Sequence, residues 1–196
     1  MPVEAAALVR GDRLLLSDAS PADEVASFAR GAGFEQGREN DTPHGSEHVW
    51  IIRSGLFFHH VEHAKADVRY VQVTGDDRAD VQQFTWLAGE FFTTVGDNEL
   101  LSDVRAARTA EERARALTRL AVGLPSEPRE DGIRAVLEGF DANDPTVRRA
   151  ALLSALYLDW EHVGRRVRKM AEHDDAESLR LQANYFVDRH DRSTGR

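Results

Sequence analysis

Residues 142–151 read ANDPTVRRAA, and this stretch decides the fold of the second half of the chain. Asp144 is a good N-cap residue, and Pro145 follows it at the first helical position, where a missing N–H costs the helix nothing. Ala151 lies on a narrow face of small and apolar residues at helical spacing. Because the apolar stretch 133–140 precedes the cap, the pattern predicts a helix, a tight turn and a second helix with small residues on its inner face.

This layout resembles the HEAT-repeat family, whose units carry an Asp-Pro turn, then a Val-Arg pair, then an alanine. The corresponding positions here are Asp144, Pro145, Val147, Arg148 and Ala151. The resemblance implies stacked helical hairpins that serve as a binding scaffold. In such families the arginine after the valine bonds carboxylates of the adjacent unit, which implies a structural role for Arg148 and Arg180.

A weak repeat extends the resemblance over residues 99–190. The pair Val147-Arg148 recurs as Leu179-Arg180, 32 residues later, and Ala183 keeps the same separation from Ala151. In the other direction, Ala116-Leu117 lies 35 residues before the next Ala-Leu pair. Spacings in the thirties are typical of stacked helical hairpins.

The first half of the chain carries strand-like segments instead. Segments 5–9 and 13–16 flank Gly11-Asp12, and we predict that they pair as a hairpin. Segments 48–52, 56–61 and 68–73 are rich in β-branched and aromatic residues, which predicts a three-stranded antiparallel meander.

The remaining parts of this half read as helices and a loop. Ser20 and Pro21 predict one helix start, and Asp77 predicts the cap of a second helix that closes one face of the sheet. The polar stretch 35–47 contains two glycines and a proline, and we predict a loop there.

The fold class that we predict is α+β: a small antiparallel-sheet N-terminal domain followed by an all-α HEAT-like helical-hairpin domain. We place the first domain at residues 1–97, the helical domain at 98–190 and a polar tail at 191–196.

The amino-acid composition excludes several classes of protein and of functional site. The 196 residues are 41% hydrophobic and 30% charged, as expected for a globular chain, and no apolar run approaches a membrane span. The absence of cysteine excludes disulfides, thiolate nucleophiles and Cys-based metal sites. The N-terminus lacks the basic segment and apolar core of a signal peptide, so we expect a cytoplasmic protein without membrane contact.

Histidines crowd the meander and invite a metal hypothesis. On a strand, His60 and Glu62 point to one face about 7 Å apart, a gap that a metal could bridge with help from His44 or His48. No standard motif such as His-Glu-x-x-His is present. We therefore predict no metal, no cofactor and no catalytic residues, and keep an enzyme or metal-binding protein that uses His60 and Glu62 as the alternative.

A set of basic side chains in the helical half is the candidate binding site, which we call the basic ridge. Its members are Arg148, Arg149, Arg165, Arg166, Arg168 and Lys169. Equivalent positions of stacked units can align, and such a ridge could bind phosphate, RNA or an acidic protein surface. The competing interpretation is a solvated helix face paired with neighbouring acids. The net charge of −9 argues against a nucleic-acid binder, because phosphates require a positive field.

Taken together, the sequence favours a non-enzymatic protein-interaction module, such as a bacterial immunity-type protein or a regulatory adaptor. We expect a protein partner. A HEAT-like nucleic-acid binder that uses the basic ridge is the other alternative.

Overall fold

A computed structural model describes residues 8–18, 21, 23–42, 45–63 and 67–195. The chain forms two compact units. The first runs to Gly96 and includes Pro125–Glu127, and the second comprises Asp97–Leu124 and continues from Pro128. An antiparallel sheet in the first half precedes an all-helical second half, which confirms the predicted α+β class. Among the described residues, no helix has the length and apolar character needed to cross a membrane.

The first unit is built on one antiparallel sheet. Its strands are β1 (Val9–Arg10), β2 (Leu14–Leu15), β3 (Glu35–Thr42), β4 (Gly45–Arg53), β5 (Leu56–His63) and β6 (Val68–Gly75). They lie in the order β1-β6-β5-β4-β3, and β2 pairs with β6 as well. The strands β4, β5 and β6 form the predicted meander.

The predicted hairpin between the first two strands is wrong. Val9 and Arg10 pair with Gly75 and Thr74, whereas Leu14 and Leu15 pair with Val71 and Tyr70. Both short strands therefore lie along the same edge of β6, and Gly11-Asp12 interrupts one edge strand instead of reversing the chain. Residues 5–7 of the predicted first strand lie outside the described residues.

The predicted loop over 35–47 is also wrong, since β3 occupies most of it and β4 begins at Gly45. β3 is the edge strand of the sheet and pairs with β4 alone, with an irregularity between Gln36 and Glu39. Every residue of β3 except Gly37 is exposed, so neither face needs apolar residues. Backbone pairing with β4, together with polar contacts such as that of Glu39 with His48, therefore holds a strand whose side chains give no strand signal.

Two helices, α1 (Glu24–Gly31) and α2 (Arg78–Phe91), pack on one face of this sheet. Asp77 caps α2 as predicted, because its carboxylate accepts a hydrogen bond from the backbone N–H of Asp80. α1 begins only at Glu24, after Pro21, and Ser20 lies outside the described residues. The core of the unit contains Phe58 from β5 and Val81 from α2.

The second unit consists of helical hairpins. Its helices are α3 (Asp97–Ala106), α4 (Ala110–Gly123), α5 (Glu130–Phe140), α6 (Pro145–Ser154), α7 (Trp160–His173) and α8 (Glu177–Thr194). Helices α3, α5 and α7 contact one another in succession, and so do α4, α6 and α8. The unit therefore has two layers of helices, with one member of each hairpin in each layer.

Two helices of this unit begin at side-chain caps, and the cap at Asp144 is the predicted one. Thr109 and Glu112 form a capping box at the start of α4. Asp144 caps α6 through the backbone N–H of Thr146, with Pro145 in the first turn. At the other ends, α6 stops at Ser154, and α8 continues to Thr194 through residues that we assigned to the polar tail.

The small inner face of α6 has a direct packing role. Ala151 is fully buried, and a Cβ atom placed on Gly139 of α5 would lie 3.0 Å from the Ala151 Cβ and 2.8 Å from a Leu117 methyl group. Because these distances leave no room for a side chain, α5 contacts the α4–α6 layer through glycine and alanine.

Candidate binding surfaces

The structure places Arg148 of the basic ridge inside the helical unit. Its guanidinium makes two hydrogen bonds to the Asp174 carboxylate, at 2.8 and 3.0 Å, and donates to the carbonyls of Ala142 and Asn143. The Asp174 side chain is 4% exposed. These hydrogen bonds raise the pKa of Arg148 and lower the pKa of Asp174. Arg148 thus joins the α5–α6 turn to the α7–α8 turn, in keeping with the structural role that the resemblance implies.

Three further members of the basic ridge face acids. Arg166 and Lys169 both contact the Asp141 carboxylate, the lysine at 3.3 Å. Arg168 makes two hydrogen bonds to Asp191, at 2.6 and 3.2 Å. These cations of α7 are therefore partly neutralised by neighbouring elements, which reduces the field that they offer to a polyanion.

The other two members, Arg149 and Arg165, are exposed and make no hydrogen bond or ion pair with any described residue. They lie on different helices, α6 and α7. The six residues thus do not share one environment, since four are engaged with carboxylates and two remain available to a partner.

A larger feature of the helical unit is an exposed apolar face that the sequence did not point out. Leu153 and Leu156 are 39% and 54% exposed, and Leu181 and Tyr185 of α8 are 64% and 61% exposed. Arg149 lies on the same face of α6, one helical turn before Leu153. We call these five residues the interaction face.

The members of the interaction face occupy equivalent positions in the two hairpins. Leu153 and Tyr185 each lie nine residues after an N-cap, Asp144 in α6 and Ala176 in α8. Arg149 and Leu181 each lie five residues after the same caps. Because α6 and α8 are in contact, the repeat places the outer sides of the two helices next to each other.

The first unit has a smaller exposed apolar area on α2. Trp86 is 65% exposed and Leu87 41% exposed. Of the two neighbouring phenylalanines, Phe92 is buried and Phe91 is 52% exposed. The ring centroid of Phe91 nevertheless lies 4.5 Å from that of Phe28. The two phenylalanines therefore lie in different environments, because consecutive residues at the end of a helix point in different directions.

The histidine-rich part of the sheet contains a buried imidazole. His60 is 5% exposed and lies opposite His48 on the face that α1 and α2 cover. A Glu62 carboxylate oxygen is 3.5 Å from Nε2, yet the geometry forms no hydrogen bond there. Burial lowers the pKa of His60 to about 4, and the nearby His48 and Arg69 act in the same direction.

His48 is nearer to another acid, Glu39 of β3, at 3.4 Å. His44 lies outside the described residues. In the described part of the chain, the group that brings three possible metal ligands together is Asp159, Glu161 and His162, outside the sheet. The structure does not assemble His60, Glu62 and His48 into such a group.

On the other face of the sheet, His59 belongs to a hydrogen-bonded array. Nδ1 is 3.1 Å from the Glu47 carboxylate, and Nε2 is 2.8 Å from the Thr74 hydroxyl. A carboxylate, an imidazole and a hydroxyl in this order can activate a nucleophile. Thr74, however, is only 7% exposed on a strand paired on both sides, so the array links β4, β5 and β6 and gives a substrate little access.

No family model, curated protein or solved structure matches the chain.

Proposed function

We propose that this chain is a non-enzymatic protein-interaction module, in which the interaction face binds a protein partner. The observation that supports this most is the exposure of four large apolar side chains on α6, the turn after it and the adjacent α8: Leu153, Leu156, Leu181 and Tyr185. Neighbouring exposed apolar side chains are characteristic of protein contact sites, and tyrosine is enriched at the centres of such sites.

The charges on the interaction face indicate the chemistry of the partner. Arg149 is exposed beside Leu153 and has no ion-pair partner among the described residues. A partner that covers the leucines would bring its own groups close to this guanidinium, which favours a carboxylate over a cation. We therefore propose a protein surface with apolar anchors and an adjacent aspartate or glutamate.

The arrangement of the helices supports a HEAT-like interpretation of the second unit. Two layers of helices, a repeated N-cap and a repeated arginine four residues after it are what stacked hairpins require. Within this interpretation we propose a cytoplasmic bacterial protein of the immunity or regulatory-adaptor type. Fold alone does not specify function, so this part depends on identifying the partner.

The proposed contact is tested by introducing negative charges into the interaction face. We expect the Leu181→Glu/Tyr185→Glu variant to lose at least about tenfold in affinity for a partner that the unmodified chain retains, because the anchors would be replaced by carboxylates. The measurement is quantitative co-purification from the source cell, followed by titration of the recovered protein.

Trp86→Glu is the matched control, because Trp86 is as exposed as Leu181 but lies on α2 of the first unit. This variant should keep the partner. Equal retention by the double variant and the unmodified chain would reject the interaction face as the binding site, provided that circular dichroism shows both variants folded.

We also expect the chain not to bind nucleic acid. Four of the six basic-ridge residues contact carboxylates, and the net charge of −9 repels a polyanion. Mobility-shift titrations with duplex DNA and RNA at physiological salt should therefore show no complex. Submicromolar, salt-sensitive binding that Arg149→Glu/Arg165→Glu abolishes would contradict this and favour the nucleic-acid alternative.

A further inference from the structure

Three arginines occupy the same position in successive hairpins of the helical unit. Arg113, Arg148 and Arg180 each lie four residues after an N-cap: Thr109 for α4, Asp144 for α6 and Ala176 for α8. Equivalent positions in a repeat have similar surroundings, so the partners of one arginine indicate what the others can bind.

Two of the three arginines donate side-chain hydrogen bonds to the turn before their own helix. Arg148 donates hydrogen bonds to the carbonyls of the two residues before its N-cap. It also makes two hydrogen bonds to the Asp174 carboxylate of the next hairpin. Arg180 donates to the carbonyls of Asp174 and Asp175, the two residues before its own cap. Asp174 itself lies two residues before the Ala176 cap.

Arg113 lacks the corresponding carboxylate. The position in the next hairpin that is equivalent to Asp174 lies two residues before the Asp144 cap, and it holds Ala142. The Nε atom of Arg113 is buried and has no hydrogen-bond partner among the described residues. A desolvated guanidinium donor without an acceptor is unfavourable, and a ligand with a carboxylate would satisfy it.

A groove of about 480 Å³ lies beside this arginine, between the start of α4 and the α5–α6 turn. Arg108, Arg113, Glu138, Ala142 and Asn143 are among its lining residues. Asp141 in the same groove is neutralised by Arg166 and Lys169, and the Asp144 carboxylate is engaged by the N–H of Thr146. Arg108 and Glu138 of the lining carry opposite charges, and Asp144 is a further acidic group, so the free Nε donor of Arg113 and not a net positive charge marks this groove.

We propose that this groove, the Arg113 groove, is a binding site for a carboxylate, which would occupy the place that Asp174 occupies beside Arg148. One carboxylate suffices to satisfy the guanidinium by two parallel hydrogen bonds. The free donor and the equivalence of the two arginines carry this proposal, which does not depend on the proposed function of the interaction face.

The test follows the arginine Nε–Hε signals of the ¹⁵N-labelled full chain by NMR, with N-acetyl-aspartate N-methylamide as the probe. We expect a saturable shift of the Arg113 signal, identified by its loss in Arg113→Lys, with half-saturation in the millimolar range. The Arg148 signal should not move, because Asp174 already occupies its guanidinium. The matching asparagine compound should bind at least about tenfold more weakly, since a neutral amide makes no charge-assisted pair.

Ala142→Asp supplies the carboxylate within the chain and should abolish the response to the probe, while Ala142→Asn should leave it in place. Acetate serves as a second probe. If acetate saturates the Arg113 signal as readily as the aspartate compound does, the site accepts any small carboxylate; if acetate binds more weakly, the site also recognises the aspartate backbone. Either outcome supports the site. The proposal is overturned if the Arg113 signal does not saturate, or if Ala142→Asp responds as the unmodified chain does.

Discussion

Replacing Arg148 with alanine should lower the free energy of unfolding by about 3 kcal/mol, the largest effect that we expect from a substitution outside the apolar cores. The change leaves the buried Asp174 carboxylate without its bidentate partner and frees the carbonyls of Ala142 and Asn143. An unpaired buried charge costs more than the pair itself contributes, so the loss exceeds that of an exposed ion pair. Urea denaturation followed by circular dichroism measures it.

The adjacent Arg149 provides the matched control, because it is exposed on the same helix and makes no hydrogen bond or ion pair with a described residue. Arg149→Ala should change the unfolding free energy by less than about 0.5 kcal/mol. A double-mutant cycle with Asp174→Ala should show coupling between Arg148 and Asp174. Equal, small effects of both arginine substitutions would show that Arg148 does not hold the two hairpins together.

Acidification from pH 7 to pH 4 should destabilise the chain by about 3 kcal/mol through His60 alone. In the folded chain, burial lowers the pKa of His60 from 6.5 to about 4, so the imidazole stays neutral there. The unfolded chain takes up the proton near pH 6.5 and therefore binds more protons than the folded chain across this range. Stability is full above pH 6.5, falls as the pH decreases towards 4, and becomes independent of His60 below that.

The measurement compares unfolding free energies of the unmodified chain and His60→Leu at intervals between pH 7.5 and 4. The difference between the two curves should change by about 3 kcal/mol, because the other titrating groups are common to both. His173→Leu is the control, since the His173 ring is exposed to solvent in the folded chain as it is in the unfolded one. Parallel curves for the unmodified chain and His60→Leu would mean that His60 is accessible to protons.

The helical half was predictable because its signals are local. Thr109 with Glu112, and Asp144 with Pro145, mark helix starts through hydrogen bonds made within four residues. The ends were less predictable. α8 runs through a polar segment to Thr194, because exposed turns of a helix need no apolar residues of their own.

The sheet was predictable only where a face is buried. The meander strands carry apolar residues such as Phe58 for the core, whereas β3 is a polar edge strand held by backbone pairing with β4. Which strand a segment pairs with is decided by distant residues. For that reason the association of Val9 and Leu14 with β6 could not be read from the turn between them.

The candidate sites were still harder to predict, because they depend on contacts between residues that are far apart in the sequence. The pattern of α6 shows that Leu153 lies off the Val147–Ala151 stripe, but whether another element covers it is decided by the packing of α8. The array of Glu47, His59 and Thr74 requires the register of three strands. The sequence assigned Arg148 two roles, as a member of the candidate binding site and as a structural residue. Only the position of Asp174 in the structure decides between these roles.

The most direct test of the proposed interaction module is site-specific photo-cross-linking in the source cell. A benzophenone amino acid is placed at Leu153, Leu181 or Tyr185, and at Trp86 as the equally exposed control. We predict that the three positions of the interaction face give the same discrete adduct with one other protein and that position 86 does not. An adduct with a second copy of this chain, an adduct equally strong at position 86, or none at the three positions would contradict the proposal.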